Sequence, residues 1–300
     1  MRIAVMGTGA VGGYFGAKLA AAGHELVFIA RGKQLEAMQR DGLQVKSADA
    51  NLHIRNALFT DAASAAGNVE LVLFCVKSYD TDAASTAIAP LMGPRTIILS
   101  LQNGIDNSNK LAARWGAMPI FAGVVYVGAA IERPGVVVHS SGGRIVFGCL
   151  DGTINDNAKS VAQSLATALI PHEVSAEIAK VQWTKVLWNA SFCAISSLTR
   201  ANVKQIVHSE PLTKLVRDCM AEVRTAALTR GIDLPTLALD QTIEFSRTLG
   251  DFKPSMLQDL EAGKPLEHEA FNGVVVKILR QAGKTAPTNE AFYAMLDYID

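Results

Sequence analysis

The chain has no excess of charge of either sign: lysine plus arginine and aspartate plus glutamate both number 28 over 300 residues. That balance gives no field to draw in nucleic acid or an anionic membrane, so a small molecule is the expected partner. Cysteine is scarce and scattered. Cys75, Cys149, Cys193 and Cys219 make no paired spacing of the kind that clasps a metal, and they read as ordinary thiols of a reducing compartment. No metal is expected. Long apolar runs are also lacking: the longest, Phe121 to Ile131, is too short and too glycine-rich to span a bilayer. The N-terminus has no basic n-region, and its apolar run breaks at Gly7, which argues against a secretion signal. A soluble, cytoplasmic protein is expected. The hydrophobic fraction of 49% over this length suits one large or two modest domains with real cores.

The most informative stretch lies at the start. Ile3-Ala4-Val5-Met6 leads into Gly7-Thr8-Gly9-Ala10-Val11-Gly12, an Ala-rich helix follows to Gly23, and Leu26 to Ala30 forms a second apolar run. Strand, glycine turn, helix and strand in this order form a Rossmann-type dinucleotide-binding unit, whereas the glycine spacing alone would match many loops by chance. The first glycine makes the bend, the second lets a pyrophosphate approach backbone, and the third packs helix on strand. The phosphates would rest on the free N–H groups at the helix N-terminus. Arg31 ends the second strand about 20 residues past the glycines, where an acid would grip the ribose 2′-hydroxyl of NAD. An arginine there suits the 2′-phosphate of NADP through its planar, permanent charge, although a solvated surface arginine would look the same in sequence.

Further along, Glu70 to Val76 and Thr96 to Leu101 are continuous apolar runs, as expected of parallel strands buried on both faces. They deliver Lys77 and Asn103 to the carboxyl edge of a sheet, the edge at which open α/β sheets bind ligands. The glycine turn, Arg31, Lys77 and Asn103 thus point to one crevice. Short β-prone runs over 119–148 suggest antiparallel strands closing the sheet's edge. From Ile178 onward helical periodicity dominates, with long segments over 179–197, 211–230, 235–248, 255–262, 267–282 and 289–300. The expected architecture is α/β, with an NADP-binding domain over 1–176 and an all-α substrate and catalytic domain over 177–300, and a cleft between them.

Within the helical half, Lys185 and Asn189 stand four apart and share a face, among Val181, Trp183, Leu187, Trp188 and Phe192. Such a lysine either snorkels to solvent or is held for chemistry. Ser255 could be an N-cap and Glu267 a first-turn acid, as well as site residues.

Taken together, Gly7 to Gly12, Val76-Lys77-Ser78, Gln102-Asn103-Gly104, Lys185 to Asn189, and Ser255-Met256-Leu257-Gln258-Asp259 followed by Glu267 resemble the ketopantoate reductase family over nearly the whole chain. The resemblance implies NADPH-dependent reduction of a 2-keto acid to a 2-hydroxy acid, with ketopantoate to pantoate in pantothenate synthesis as the namesake reaction. It also implies Lys185 as general acid with Glu267 beside it, Asn103, Asn189 and Ser255 on the substrate, and Lys77 beside cofactor and substrate. Two positions depart from the pattern: Cys193 and Phe252 stand where the best-studied branch carries asparagines, which makes the implied pocket more apolar. An NADP-dependent β-hydroxyacid dehydrogenase shares the lysine and asparagine helix, but the string from Ser255 to Glu267 argues against it. A non-catalytic NADPH-binding sensor, or a Lys185–Glu267 pair that is merely structural, would differ in turnover. Helical faces rich in alanine and valine suit a homodimer as well as a monomer core.

Overall fold

The structure is a computed structural model describing residues 1–116 and 119–300. The chain divides into two compact units, Met1–Ile178 and Ala179–Asp300.

The first unit opens with β1 (Arg2–Met6), α1 (Ala10–Ala21), β2 (Glu25–Ile29), α2 (Gly32–Asp41), β3 (Leu43–Ser47), β4 (Leu52–Ile54) and β5 (Leu58–Thr60). It continues through β6 (Leu71–Phe74), α3 (Thr81–Ala87), β7 (Ile97–Ser100), α4 (Asn107–Trp115), β8 (Ile120–Arg133), β9 (Val136–Cys149), α5 (Asp156–Thr167) and β10 (His172–Val174). The strands form one sheet in the order β4-β3-β9-β8-β7-β6-β1-β2-β5, with β10 beside β9. Both faces of its centre are covered. Ile3, Val5, Leu26, Phe28, Leu71 and Leu73 face one core with Phe15 and Leu19 of α1 and Val161 and Leu165 of α5. Their neighbours Ala4, Met6, Val27, Ile29, Val72 and Phe74 face the other, with Ala84 of α3 and Leu111 of α4. Burial on alternate faces is why these strands read as unbroken apolar runs. Each fully buried Leu, Ile or Phe contributes about 1.5–3 kcal/mol.

The segment 119–148 departs from expectation. It makes two 14-residue antiparallel strands, β8 and β9, not several short ones. Nor do they close the edge, because β3 adds to β9 in parallel and carries β4 beyond it. Gln44 and Val45 of β3 pair with Val136 and Val137, a long-range match that no local pattern announces.

The second unit is helical among the described residues: α6 (Ile178–Trp188), α7 (Ala194–Thr199), α8 (Val203–Val207), α9 (Glu210–Thr229), α10 (Leu237–Arg247), α11 (Ser255–Glu261), α12 (Val274–Gln281) and α13 (Pro287–Ile299). The longest, α9, is started by Ser209, whose hydroxyl accepts from the Leu212 N–H, and by Pro211 in its first turn. It buries Val216, Cys219, Met220, Val223, Ala226 and Ala227, a stripe of helical period. Two of the expected long helices are interrupted. A π turn at Asn189–Cys193 separates α6 from α7, and another at Glu269–Gly273 precedes α12. An extra residue in a turn leaves no mark in hydrophobic periodicity over so short a span, and such bulges are frequent at functional sites.

Candidate functional site

In the first unit, Met6 of β1 is level with Ile29 of β2 and Phe74 of β6, and Phe74 is level with Ser100 of β7. The carboxyl ends of four adjacent strands therefore lie flush, and the segments leaving them carry Gly7, Arg31, Lys77 and Asn103. These four come together at one edge.

The glycine turn has the shape a dinucleotide requires. Gly7 sits at φ +95°, and a Cβ there would lie 2.8 Å from the Val76 nitrogen. At Gly12 a Cβ would lie 2.4 Å from the Gly7 carbonyl oxygen, so the helix can approach the strand only without a side chain. At Gly9 a Cβ would meet nothing within 4 Å. Space is thus left at the middle glycine, where a pyrophosphate approaches backbone, and filled at the other two. No side chain caps α1 and its first turn holds no acid, which leaves the N–H groups of Ala10, Val11 and Gly12 for an anion. Thr8 is buried, its backbone N–H and its hydroxyl both donating to the Ile29 carbonyl, at 3.0 and 3.1 Å. The residues present fit a dinucleotide.

Arg31 is exposed and occupies the N-cap position of α2 without a side-chain capping bond; its guanidinium lies 3.3 Å from the Asp80 carboxylate. Lys77 immediately precedes the short 3₁₀ turn Ser78–Asp80. Asn103 is half-buried, and its carbonyl accepts from Asn107 Nδ2 at 2.7 Å. Beneath it, Gln102 Oε1 accepts from Ser100 Oγ at 3.1 Å, and Gln102 Nε2 donates to Thr81 Oγ1 at 2.7 Å. That buried chain fixes the loop after β7. Gln34 fixes the glycine turn, donating to the Thr8 carbonyl at 3.2 Å and accepting from the Gly135 N–H at 3.0 Å. Gln102 stands in the Gln102-Asn103-Gly104 string, but its role as a support, like that of half-buried Gln34, leaves no signal in the sequence, since such a glutamine reads like any surface glutamine.

In the second unit, Lys185 lies in the last turn of α6, and Asn189 opens the π turn and is only 4% exposed. Lys185 keeps some surface, yet crowding by protein atoms pushes its ammonium well below the ordinary lysine range, to about 8. Loss of water is the main cause; Cys193 and Glu267 oppose it by favouring the charged form. The π turn therefore brings Cys193 into the electrostatic surroundings of Lys185. Glu267 is 4% exposed and lies just before the second π turn, so it is not an ordinary solvated acid of a first turn. Ser255 is the first residue of α11, is exposed, and makes no capping bond, with Pro254 in the cap position. Its N-cap role is thereby set aside. The helix α11 packs against the π turn 189–193, and that turn against the turn 269–273.

The family profile described as "Ketopantoate reductase PanE/ApbA" matches residues 3–152, and its C-terminal companion, "Ketopantoate reductase PanE/ApbA C terminal", matches 177–300. The chain belongs to the ketopantoate reductase family. This family member is an NAD(P)-dependent oxidoreductase. It is 30% identical to a 2-dehydropantoate 2-reductase of Mesorhizobium japonicum, over 99% of this chain and 97% of that protein. It is 31% identical to one of Archaeoglobus fulgidus, over 92% and 90%. Its fold superimposes on the crystal structure of 2-dehydropantoate 2-reductase from Geobacter metallireducens with a TM-score of 0.94, at 30% identity and full coverage of both chains. An α/β dinucleotide-binding domain followed by a helical one is thus common to the ketopantoate reductase fold and this chain.

Proposed function

We propose that this protein reduces 2-dehydropantoate (ketopantoate) to pantoate with NADPH, in the cytoplasm, as a step of pantothenate synthesis. The observation that carries this is the full-length similarity, at 30% identity, to a 2-dehydropantoate 2-reductase; Lys185 fits it, because loss of water lowers the affinity of its ammonium for a proton to about 8 while Cys193 and Glu267 favour the charged form. A donor so tuned gives up a proton near neutral pH, which an ordinary lysine does sluggishly.

NADPH, when bound, supplies the hydride that adds to the keto carbon. As the carbonyl π electrons move to oxygen, the Lys185 ammonium stabilises the developing charge and donates its proton there, giving the 2-hydroxy acid. Lys185 then regains a proton from solvent. Glu267 holds the charge of Lys185 between turnovers. Asn103, Asn189 and Ser255 hold the substrate's polar groups, Lys77 serves the cofactor and the substrate carboxylate, and the Gly7 to Gly12 backbone holds the pyrophosphate. The test follows NADPH oxidation with ketopantoate beside a panel of other 2-keto acids. Turnover fastest on ketopantoate supports the assignment, and tight NADPH binding without turnover on any of them overturns it.

Arg31 is assigned the 2′-phosphate. Arg31→Ala is expected to raise the KM for NADPH about 10–100-fold, the size of one charge-assisted contact, and to leave the KM for NADH little changed. Equal rises for both nucleotides would remove Arg31 from that role.

The pH dependence has a definite sign. Reduction needs the ammonium, whose population falls as pH rises through about 8. For ketopantoate reduction, kcat/KM should hold level below that value and decline above it, approaching tenfold per pH unit. Oxidation of pantoate needs the neutral amine and should rise over the same interval. A reductive rate that is flat from pH 7 to 10 would show that Lys185 does not supply the proton.

A further inference from the structure

The two π turns are tied by a buried amide. Asn272, in the second turn, is fully buried, and its Nδ2 donates to the Ala190 carbonyl in the first turn and to Asn289 Oδ1, both at 2.9 Å. Asn289, also fully buried, donates through Nδ2 to Glu222 Oε2 at 2.7 Å and to the Cys219 carbonyl at 3.2 Å. Glu222 also accepts the backbone N–H groups of Thr288 and Asn289, each at 2.8 Å. The direction of the chain of bonds follows. Carboxylate oxygens accept, so Asn289 must turn its NH₂ toward Glu222 and its oxygen toward Asn272. Asn272 must then present its NH₂ to that oxygen and to Ala190.

Ala190 follows Asn189 directly, in a turn widened beyond the α-helical register. Among the described residues, Asn189 Nδ2 and Asn272 Oδ1 are buried polar atoms without a hydrogen-bond partner. A buried donor left unmatched destabilises the fold, so a ligand atom is the natural partner for Asn189. Where that donor points depends on the carbonyl Asn272 holds.

We propose that Asn272, anchored through Asn289 on Glu222, is a positioning residue of the reductase: it holds the π turn open at Ala190 and so aims the Asn189 amide at the keto acid. This rests on the assignment of Asn189 to the substrate made above. The test is a double-mutant cycle in the full-length enzyme, with kcat and KM measured for ketopantoate and for NADPH. Asn272→Ala should raise the KM for ketopantoate about tenfold, the value of one displaced hydrogen bond, and change the KM for NADPH less than about twofold. In an Asn189→Ala background the same substitution should cost less than about twofold in kcat/KM. A purely structural role predicts equal losses in both backgrounds alongside a lower Tm, and that result overturns the proposal. Should Asn272→Ala fail to fold, Glu222→Gln carries the same cycle, because it loosens the anchor without changing the buried volume. It should raise the KM for ketopantoate about threefold, with no further rise in the Asn189→Ala background; equal rises overturn the proposal. Hydrogen exchange over 189–195 is read in parallel on each variant. Wild-type enzyme that reduces no 2-keto acid would defeat the functional assignment, and exchange then decides the contact alone: faster exchange confined to 189–195 supports it, and unchanged exchange overturns it.

Discussion

Replacing Lys185 by alanine is expected to lower kcat for ketopantoate reduction by about 10²–10⁴-fold, the range over which a positioned proton donor acts. NADPH binding should persist, because the groups assigned to the nucleotide belong to the other unit, Met1–Ile178. The physical reason for so large an effect is that hydride addition leaves a full negative charge on an oxygen, and no other side chain has been assigned to meet it. Asn103 and Asn189 can donate hydrogen bonds but cannot release a proton. A structural ion pair between Lys185 and Glu267 predicts something else: Lys185→Ala would lower the Tm and leave the specific activity of the folded fraction intact. Measuring Tm, NADPH affinity by fluorescence titration and single-turnover rate on the same preparation separates the two. Retention of more than about a tenth of the wild-type rate would remove Lys185 from the chemistry.

The second large effect concerns the glycine turn, where two glycines should answer differently to added bulk. Gly9 has a φ of −84°, which any residue adopts, and open space where its Cβ would be. Gly9→Val should keep the Tm within about 3 °C of wild type, the cost of a poorer cap, while raising the Kd for NADPH about 100-fold or more. The loss arises because the backbone N–H groups can no longer approach the pyrophosphate. Gly12→Ala meets the opposite constraint, with its Cβ 2.4 Å from the Gly7 carbonyl oxygen and 2.8 Å from Val5 Cγ1. Neither neighbour can move without disturbing β1, and overpacking of this kind costs about 1–3 kcal/mol. Its Tm should fall by roughly 5 °C or more, and the NADPH affinity should fall with it. Calorimetry and nucleotide titration on both variants check the contrast. A Gly9→Val protein that binds NADPH normally would place the pyrophosphate elsewhere.

These expectations rest on different kinds of information. The strand, turn and helix over residues 3–31 were legible from sequence because the periodicity of β1 and β2, the glycine spacing and the length of α1 are all local, and local geometry follows from neighbouring residues. The same holds for Lys77 and Asn103, each delivered to the carboxyl edge by an apolar run that needs two covered faces. The helical character of the second unit was legible for the same reason, and so was the start of α9, where Ser209 and Pro211 act within one turn. The tertiary structure alone decided what depends on residues distant in sequence. The pairing of β3 with β9 is one case, because a strand's partner is chosen by the whole sheet and not by its own alternation. The π turns at Asn189–Cys193 and Glu269–Gly273 are another: a single widened turn costs little and leaves periodicity almost unchanged, so packing of the first against α9, of the second against α13, and of the two against each other settles it. The state of Lys185 is a third. Its lowered proton affinity comes from atoms crowded around the ammonium, set against Glu267, a residue 82 positions away along the chain. Sequence determined which groups this protein possesses and which strand or helix carries each. The fold determined how much water those groups keep, and it is the loss of water at Lys185 that lowers its affinity for a proton.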